Sequence, residues 1–140
     1  ANDEHRSTLE RLAALLSAAG WTEVEEIPAA VDLWATDPLR RPRVIFEIKT
    51  LSGSNEVHQC RAALAQLLEY RFFYGSETDR LCIVLTRPIA DRRRALFEQM
   101  SVAIVVIPVN GEPTAVGNLA HEWFGPNPWR RQASPHLDKC

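Results

Sequence analysis

The segment Arg43–Thr50 constrains the fold of this chain more strongly than any other stretch. Its β-branched and aromatic residues are typical of a buried strand, yet it also carries Glu47 and Lys49. Because side chains alternate between the faces of a strand, these two charges share a face with Ile45. The opposite face is apolar throughout: Val44, Phe46 and Ile48. A charged pair in such a strand costs free energy unless another group neutralises or uses it.

Size and composition indicate an ordinary globular domain with a hydrophobic core. The chain has 140 residues, of which 46% are hydrophobic and 24% charged. No apolar run is long enough to cross a membrane and no signal peptide is evident, so we expect a cytoplasmic protein. The three cysteines are scattered, which argues for a reducing compartment and against a zinc site or a disulfide framework. Because the sequence does not begin with Met, excision from a longer protein stays open.

The arginines are clustered, although the net charge of -2 does not favour nucleic-acid binding. A basic patch can still bind phosphates while the rest of the chain is acidic. The three clusters are Arg40-Arg41-x-Arg43, Arg92–Arg94 and Arg130–Arg131, and solvated turns and helix faces account for two of them. We expect Arg40, Arg41 and Arg43 to contact nucleic acid.

Apolar periodicity and turn residues predict an α/β chain that begins with one helix followed by three strands and a second helix. A helix with Ser7 or Thr8 as its cap ends before Gly20. The later strand–helix–strand order favours parallel pairing with a right-handed crossover. The predicted helices span 7–19, 56–74 and 90–100, and the predicted strands span 21–27, 29–36, 43–50, 81–86 and 102–109. Residues 110–140 are predicted to be an irregular tail, held to the core by Trp123, Phe124 and Trp129.

The connection Asp37–Pro42 predicts a hairpin that brings two acids together. A symmetric register places Asp32 directly opposite Glu47, with Cβ atoms about 4.5–5.5 Å apart. Two carboxylates that close repel each other unless a cation lies between them. A hard cation such as Mg²⁺ takes one or two carboxylates, keeps several waters and binds substrate phosphates. A neighbouring lysine can orient the attacking water and offset the developing charge.

These residues resemble the PD-(D/E)XK nuclease superfamily. The match reads Val31-Asp32-Leu33-Trp34 followed by Phe46-Glu47-Ile48-Lys49-Thr50, a D-(x)14-E-x-K pattern with Val31 where that family has Pro. Gln66 and Tyr70 on the following helix are similar to the Q-x-x-x-Y signature of its RecB-like and Mrr-like branches. The resemblance covers about Ser7 to Val109. It implies a restriction-endonuclease-like α/β/α sandwich with a central mixed sheet of 4–5 strands, in a single nuclease domain.

The resemblance also implies roles for individual residues. Asp32, Glu47 and the backbone carbonyl of Ile48 would hold Mg²⁺, with Mn²⁺ able to substitute. Lys49 would position the attacking water, and Gln66 would support the catalytic site. Two further helix residues would contact the nucleic-acid backbone, Gln59 and Tyr70. An acid of the first helix often joins the metal site in that family, and Glu10 is the candidate, although its place off the leucine stripe is typical of a solvent-facing charge.

The function that follows is a Mg²⁺-dependent nuclease that hydrolyses DNA phosphodiester bonds in restriction or DNA defence. Two alternatives stay open: a catalytically inactive nucleic-acid-binding or protein-docking module of the same fold, and an RNase. A homodimer and a fusion to a target-recognition domain are both compatible with the sequence. The sequence does not decide between endonuclease and exonuclease action.

Overall fold

The computed structural model describes residues 3–28, 31–125 and 128–129. The elements of this part of the chain begin in the order that the sequence predicts, one helix, three strands, a helix and a strand. Their bounds are α1 Asp3–Ala18, β1 Thr22–Glu26, β2 Leu33–Thr36, β3 Val44–Lys49, α2 Glu56–Phe73, β4 Arg80–Leu85, α3 Asp91–Gln99, β5 Val102–Val106, β6 Thr114–Val116 and α4 Gly117–Phe124. None of these helices is both long enough and apolar enough to cross a membrane.

The strands form one mixed sheet in which the spatial order follows the chain order, β1-β2-β3-β4-β5-β6. The first three strands are antiparallel, β3, β4 and β5 are parallel, and β6 is antiparallel to β5. The mixed sheet is confirmed, with six strands instead of the predicted 4–5. Each parallel pair is joined by a helix, because parallel neighbours need a crossover connection.

Helices cover both faces of the sheet and enclose two apolar cores. The first core joins α1 and α4 to one face and includes Phe46 and Ile48. The second core joins α2 and α3 to the other face and includes Ile45. The predicted division of β3 into two buried faces, and the α/β/α layering, are therefore confirmed.

The β2–β3 hairpin has the register that the sequence predicts. Leu33 pairs with Phe46 and Trp34 pairs with Ile45. Continued by one residue, this register sets Asp32 opposite Glu47. Asp32 itself lies just before the first residue of β2.

The segment after Asn110 corrects one prediction. Residues 114–124 are regular rather than irregular, since they form β6 and α4. β6 has only three residues, too few to show a period. α4 does carry its apolar residues at helical spacing, a signal that the sequence prediction missed: Leu119, Ala120, Trp123 and Phe124. Their packing agrees with expectation, because Trp123, Phe124 and Trp129 lie against the core that α1 covers. Residues 130–140, including Arg130–Arg131, lie outside the described part of the chain.

A buried carboxylate joins the β2–β3 connection to the start of β4. Asp37 is only 1% exposed and accepts hydrogen bonds from Arg41 Nε at 2.7 Å and Arg80 Nη2 at 2.9 Å. Its Oδ1 also accepts the Arg41 backbone N–H at 3.0 Å. Burial alone would raise the pKa of Asp37, but these hydrogen bonds outweigh it and lower that pKa. Asp37 therefore fixes the end of the sheet where β3 begins.

We expect Asp37→Asn to lower the free energy of unfolding by about 3 kcal/mol, because it leaves two partly buried guanidinium groups without their counter-charge. The contribution of Asp37 is present above its ordinary pKa of 3.8 and is lost as the pH falls further, since its folded-state pKa is lowered. Urea denaturation at pH 7 and pH 3 measures both effects. Asp91→Asn is the matched control, because the Asp91–Arg94 ion pair is solvent-exposed. Equal losses in the two variants would contradict the anchoring role of Asp37.

Candidate active site

Asp32 fills a gap in the ladder between β2 and β3. Its Oδ2 accepts the backbone N–H of Ile48 at 2.7 Å, at a point where β2 has not yet begun. The carboxylate thus takes the place of a backbone carbonyl and is held beside β3. Because an extended residue directs its N–H and C=O toward the same neighbour, the Ile48 carbonyl also faces the side on which Asp32 lies.

Glu47 is buried in β3, and only one of its two carboxylate oxygens lies close to a cation in the described part of the chain. The residue is 4% exposed, and its Oε2 lies 3.6 Å from Lys49 Nζ. Its buried Oε1 has no hydrogen-bond partner among the described residues. Buried carboxylate oxygens are rarely left this way, so the arrangement suits an additional cation or donor.

The environment raises the pKa of Glu47 from its ordinary value of 4.5 to about 8. Burial is the largest cause, and the negative charge of Asp32 adds to it. The Lys49 ammonium opposes the rise but does not cancel it. Burial and the Asp32 charge therefore favour the protonated form of Glu47, and a further cation beside the two carboxylates would favour the charged form.

An open cavity of about 550 Å³ lies against these acids. Asp32 and Glu47 line it from the sheet, and Gln66 lines it from α2. His5 lines it from α1 and brings its Nε2 to 3.2 Å from Asp32 Oδ1. The cavity is therefore a place where a substrate can reach both carboxylates.

His5 is a site residue that sequence reasoning missed. The expected helix begins at Ser7 or Thr8, whereas α1 begins at Asp3. Thr8 does not cap the helix, because its hydroxyl donates to the Glu4 carbonyl one turn earlier. The available signal was spacing, since His5 lies one turn before Leu9 on the apolar stripe.

The two glutamines of α2 lie near β3, whereas Tyr70 does not reach the cavity. Gln66 is exposed at the cavity wall, and Gln59 Nε2 donates to the Thr50 carbonyl at 3.2 Å. Tyr70 is buried in the core, with its ring 6.4 Å from that of Trp34. The structure thus brings Gln66 to the acids and gives Tyr70 a packing position.

Glu10 is not brought to the candidate active site. It is exposed on α1 and is absent from the cavity lining, to which α1 contributes His5, Arg6 and Leu9. At about 100° per residue, Glu10 points well away from the buried stripe that faces the sheet.

The three arginines expected to contact nucleic acid lie at the far end of β3 from Lys49. Arg41 is bound to Asp37, and Arg43 makes a bidentate pair with Asp79 at 2.9 and 3.1 Å. Arg43 also stacks over Trp34, with Cζ 3.9 Å from the ring centroid. Arg40 is exposed in the turn. Two of the three are therefore structural anchors.

Comparison with known proteins supports the architecture. No protein-family model and no curated protein matches the sequence. The structure is similar to that of a repair endonuclease from Pyrococcus abyssi, with a TM-score of 0.51 and 16% sequence identity. The chain has a restriction-endonuclease-like fold. The similarity covers 77% of this chain and 47% of the endonuclease chain, so the chain spans about half the length of that protein.

Within this restriction-endonuclease-like fold, the donor set suits a hard cation with a partly hydrated shell. The described residues contain no group of three or more His, Cys, Asp or Glu side chains arranged to hold a metal ion. Mg²⁺ does not need such a group, because it binds through one or two carboxylates and keeps several waters. Asp32 and the partnerless oxygen of Glu47 meet that requirement.

Ionising the buried Glu47 carboxyl costs free energy. In the absence of metal, we therefore expect the free energy of unfolding to fall as the pH rises. Its folded-state pKa of about 8 exceeds the ordinary value of 4.5, so the folded protein holds more protons between these values. The free energy of unfolding of wild type should therefore fall relative to that of Glu47→Gln as the pH rises from about 5 to 8, by at most about 1.4 kcal/mol per pH unit.

Urea denaturation in EDTA at several pH values measures this difference. Glu69→Gln is the matched control, because Glu69 is an exposed acid of α2. Its curve should run parallel to that of wild type. A parallel curve for Glu47→Gln as well would show that the pKa of Glu47 is not raised.

Proposed function

We propose that this protein is a Mg²⁺-dependent nuclease that hydrolyses DNA phosphodiester bonds. One observation carries the proposal: beside an open cavity, the buried Glu47 carboxylate lies next to Asp32, and its Oε1 has no hydrogen-bond partner among the described residues. Lys49 Nζ lies 3.6 Å from the other Glu47 oxygen. The likeness to a repair endonuclease supports a nuclease function at the level of the fold. The D-(x)14-E-x-K pattern supports the same chemistry at the level of the residues.

Asp32, Glu47 and the Ile48 carbonyl would hold the ion, and Mn²⁺ would substitute for Mg²⁺. When bound, such an ion lowers the pKa of a water molecule and stabilises charge on the phosphate. The hydrogen bond from Ile48 fixes one Asp32 oxygen. The buried position of Glu47 restricts its rotation, so both carboxylates are oriented before substrate arrives.

Lys49 would position the attacking water and offset negative charge in the transition state. Its ammonium lies 3.6 Å from Glu47 Oε2, and its side chain is 16% exposed. Lys49 does not line the cavity itself, but its ion pair with Glu47 holds the ammonium beside an acid that does. This combination of charge and position is what electrostatic stabilisation of a phosphoryl transition state requires.

The α2 glutamines would support the substrate from above the sheet. Gln66 presents an amide at the cavity wall, where it can donate to a phosphate oxygen. Gln59 holds the Thr50 carbonyl and so fixes the backbone immediately after Lys49. Tyr70 contributes by packing α2 against β2.

The biological setting that we propose is restriction or DNA defence. The structurally similar protein is a repair endonuclease, which makes repair the second candidate setting. Target recognition would come from a fused recognition domain or from a second copy of the chain. Cleavage of methylated, unmethylated and single-stranded DNA and of RNA, assayed side by side, separates these settings from an RNase.

We expect Lys49→Ala to lower plasmid cleavage in Mg²⁺ by about 100-fold or more, because general acid–base and electrostatic groups contribute on that scale. EDTA should abolish cleavage by wild type. The assay is the initial rate of supercoiled plasmid nicking and linearisation by gel. The control variant is Arg94→Gln, which removes an exposed charge that does not line the cavity. Equal rates for wild type and Lys49→Ala would refute this mechanism.

Asp32→Asn and Glu47→Gln should each weaken Mg²⁺ binding by at least tenfold, because each removes one anionic ligand from a site with two. Isothermal titration calorimetry with Mg²⁺, and with Mn²⁺ in parallel, measures the affinity without substrate. Glu69→Gln should bind as wild type does. Absence of carboxylate-dependent metal binding in wild type would favour the inactive binding module instead.

A further inference from the structure

The two flanks of the candidate active site differ in their exposed charged residues. On the β1 side, the exposed acids are Glu23, Glu25 and Glu26. The α2 and α3 side mixes acids and arginines, and its acids are Glu56, Glu69, Asp91 and Glu98. Arg71 and Arg94 of this side are held by a hydrogen bond and an ion pair. Four further arginines are exposed or half-exposed, and their side chains make no hydrogen bond or ion pair with the described residues: Arg61, Arg87, Arg92 and Arg93. These unpaired arginines attract a polyanion, whereas the β1 acids repel it.

Strand pairing brings Arg87 to the edge of the sheet where Lys49 ends β3. Lys49 pairs with Leu85 in the parallel neighbour β4. Beyond the pair, the Leu51 N–H donates to Thr86 Oγ1 at 2.9 Å, so the two chains stay together. A Cβ on Gly53 would lie 3.9 Å from Arg87 Nη1. Arg87 thus lies against the loop that follows the catalytic lysine.

The N-terminal ends of α2 and α3 complete this edge. The Ala90 N–H donates to Glu56 Oε2 at 3.2 Å, which joins the start of α3 to the start of α2. Arg93 is close enough to Cys60 for its charge to oppose the rise in the thiol pKa that burial causes. Arg61 lies near the start of α2 and Arg92 lies in the first turn of α3, so both belong to the helix ends that meet here.

We propose that these four arginines bind the phosphate backbone of the DNA substrate next to the cleaved bond: Arg61, Arg87, Arg92 and Arg93. This inference rests on the proposed function and relocates the binding surface from the Arg40–Arg43 cluster. The difference between the clusters is pairing. Arg41 and Arg43 already neutralise buried carboxylates, whereas an unpaired exposed arginine can neutralise a phosphate and release a counterion.

The test is DNA binding by fluorescence anisotropy in EDTA, which makes it independent of cleavage. A fluorescent duplex is titrated with protein at several NaCl concentrations. Each arginine that no longer neutralises a phosphate should reduce the slope of log Kd against log salt by about 0.9. The quadruple variant R61Q/R87Q/R92Q/R93Q should bind at least tenfold more weakly at low salt. The double variants R61Q/R87Q and R92Q/R93Q should each show about half of that slope change.

Arg94→Gln is the matched control, because it removes an arginine from the same helix whose charge is paired with Asp91. It should leave the slope unchanged, and circular dichroism should show every variant folded. An unchanged slope in the quadruple variant, or no DNA binding by wild type, overturns the inference. Loss of binding in the quadruple variant supports it even if no substrate is cut, in which case only the proposed function fails.

Discussion

The hydrogen bond from the Ile48 amide to the Asp32 carboxylate is the contact on which the candidate active site depends. It replaces a backbone bond at the point where β2 has not begun, so a side chain continues the sheet. The same bond holds a negative charge beside Glu47 and helps to raise the pKa of that acid. The Asp32 carboxylate therefore determines both the hydrogen bonding at the start of β2 and the electrostatic environment of Glu47. A change that moved the start of β2 would alter both together.

The structure tolerates Glu47 because other parts of the chain supply stability. Both faces of β3 are covered by apolar cores, and two buried acids at the opposite end of the sheet are fully paired with arginines. Asp37 and Asp79 therefore show how this chain satisfies a carboxylate that has only a structural task. Glu47, with one partnerless oxygen, departs from that pattern. Such local departures from good packing are expected where a protein binds or reacts.

The hairpin and its opposed acids could be predicted because the signals were local. Alternation in β3 assigned its faces, and a short connection set the register that the structure shows. Features that depend on distant contacts could not be predicted. The pairing of Arg43 with Asp79 and of Arg80 with Asp37 joins segments that are far apart in sequence. For the same reason, the sequence did not reveal which arginines are paired with buried carboxylates and which are left to bind a phosphate.

The exact ends of helices and strands were also not predictable from the sequence. Thr8 carries the side chain of a good cap but bonds back to Glu4, and α1 consequently extends one turn further than its apolar stripe suggests. His5 lies in that additional turn. β6 is too short to show a period, and its place follows from pairing with β5. α4 carries an apolar stripe that packs on the core covered by α1, but a single eight-residue stripe among Gly, Pro and Asn residues was not recognised as a helix.

The strand order of this sheet also has a consequence for how the chain folds during synthesis. Because every strand pairs with the strand that precedes it, the sheet can grow by addition at one edge as the chain emerges. No strand must wait for a later segment to be inserted between it and its neighbour. The loops that must close are hairpin turns or single-helix crossovers, for which the entropy cost of closure is small. β1 remains one edge of the sheet throughout, and each new strand covers the unpaired edge of the strand before it.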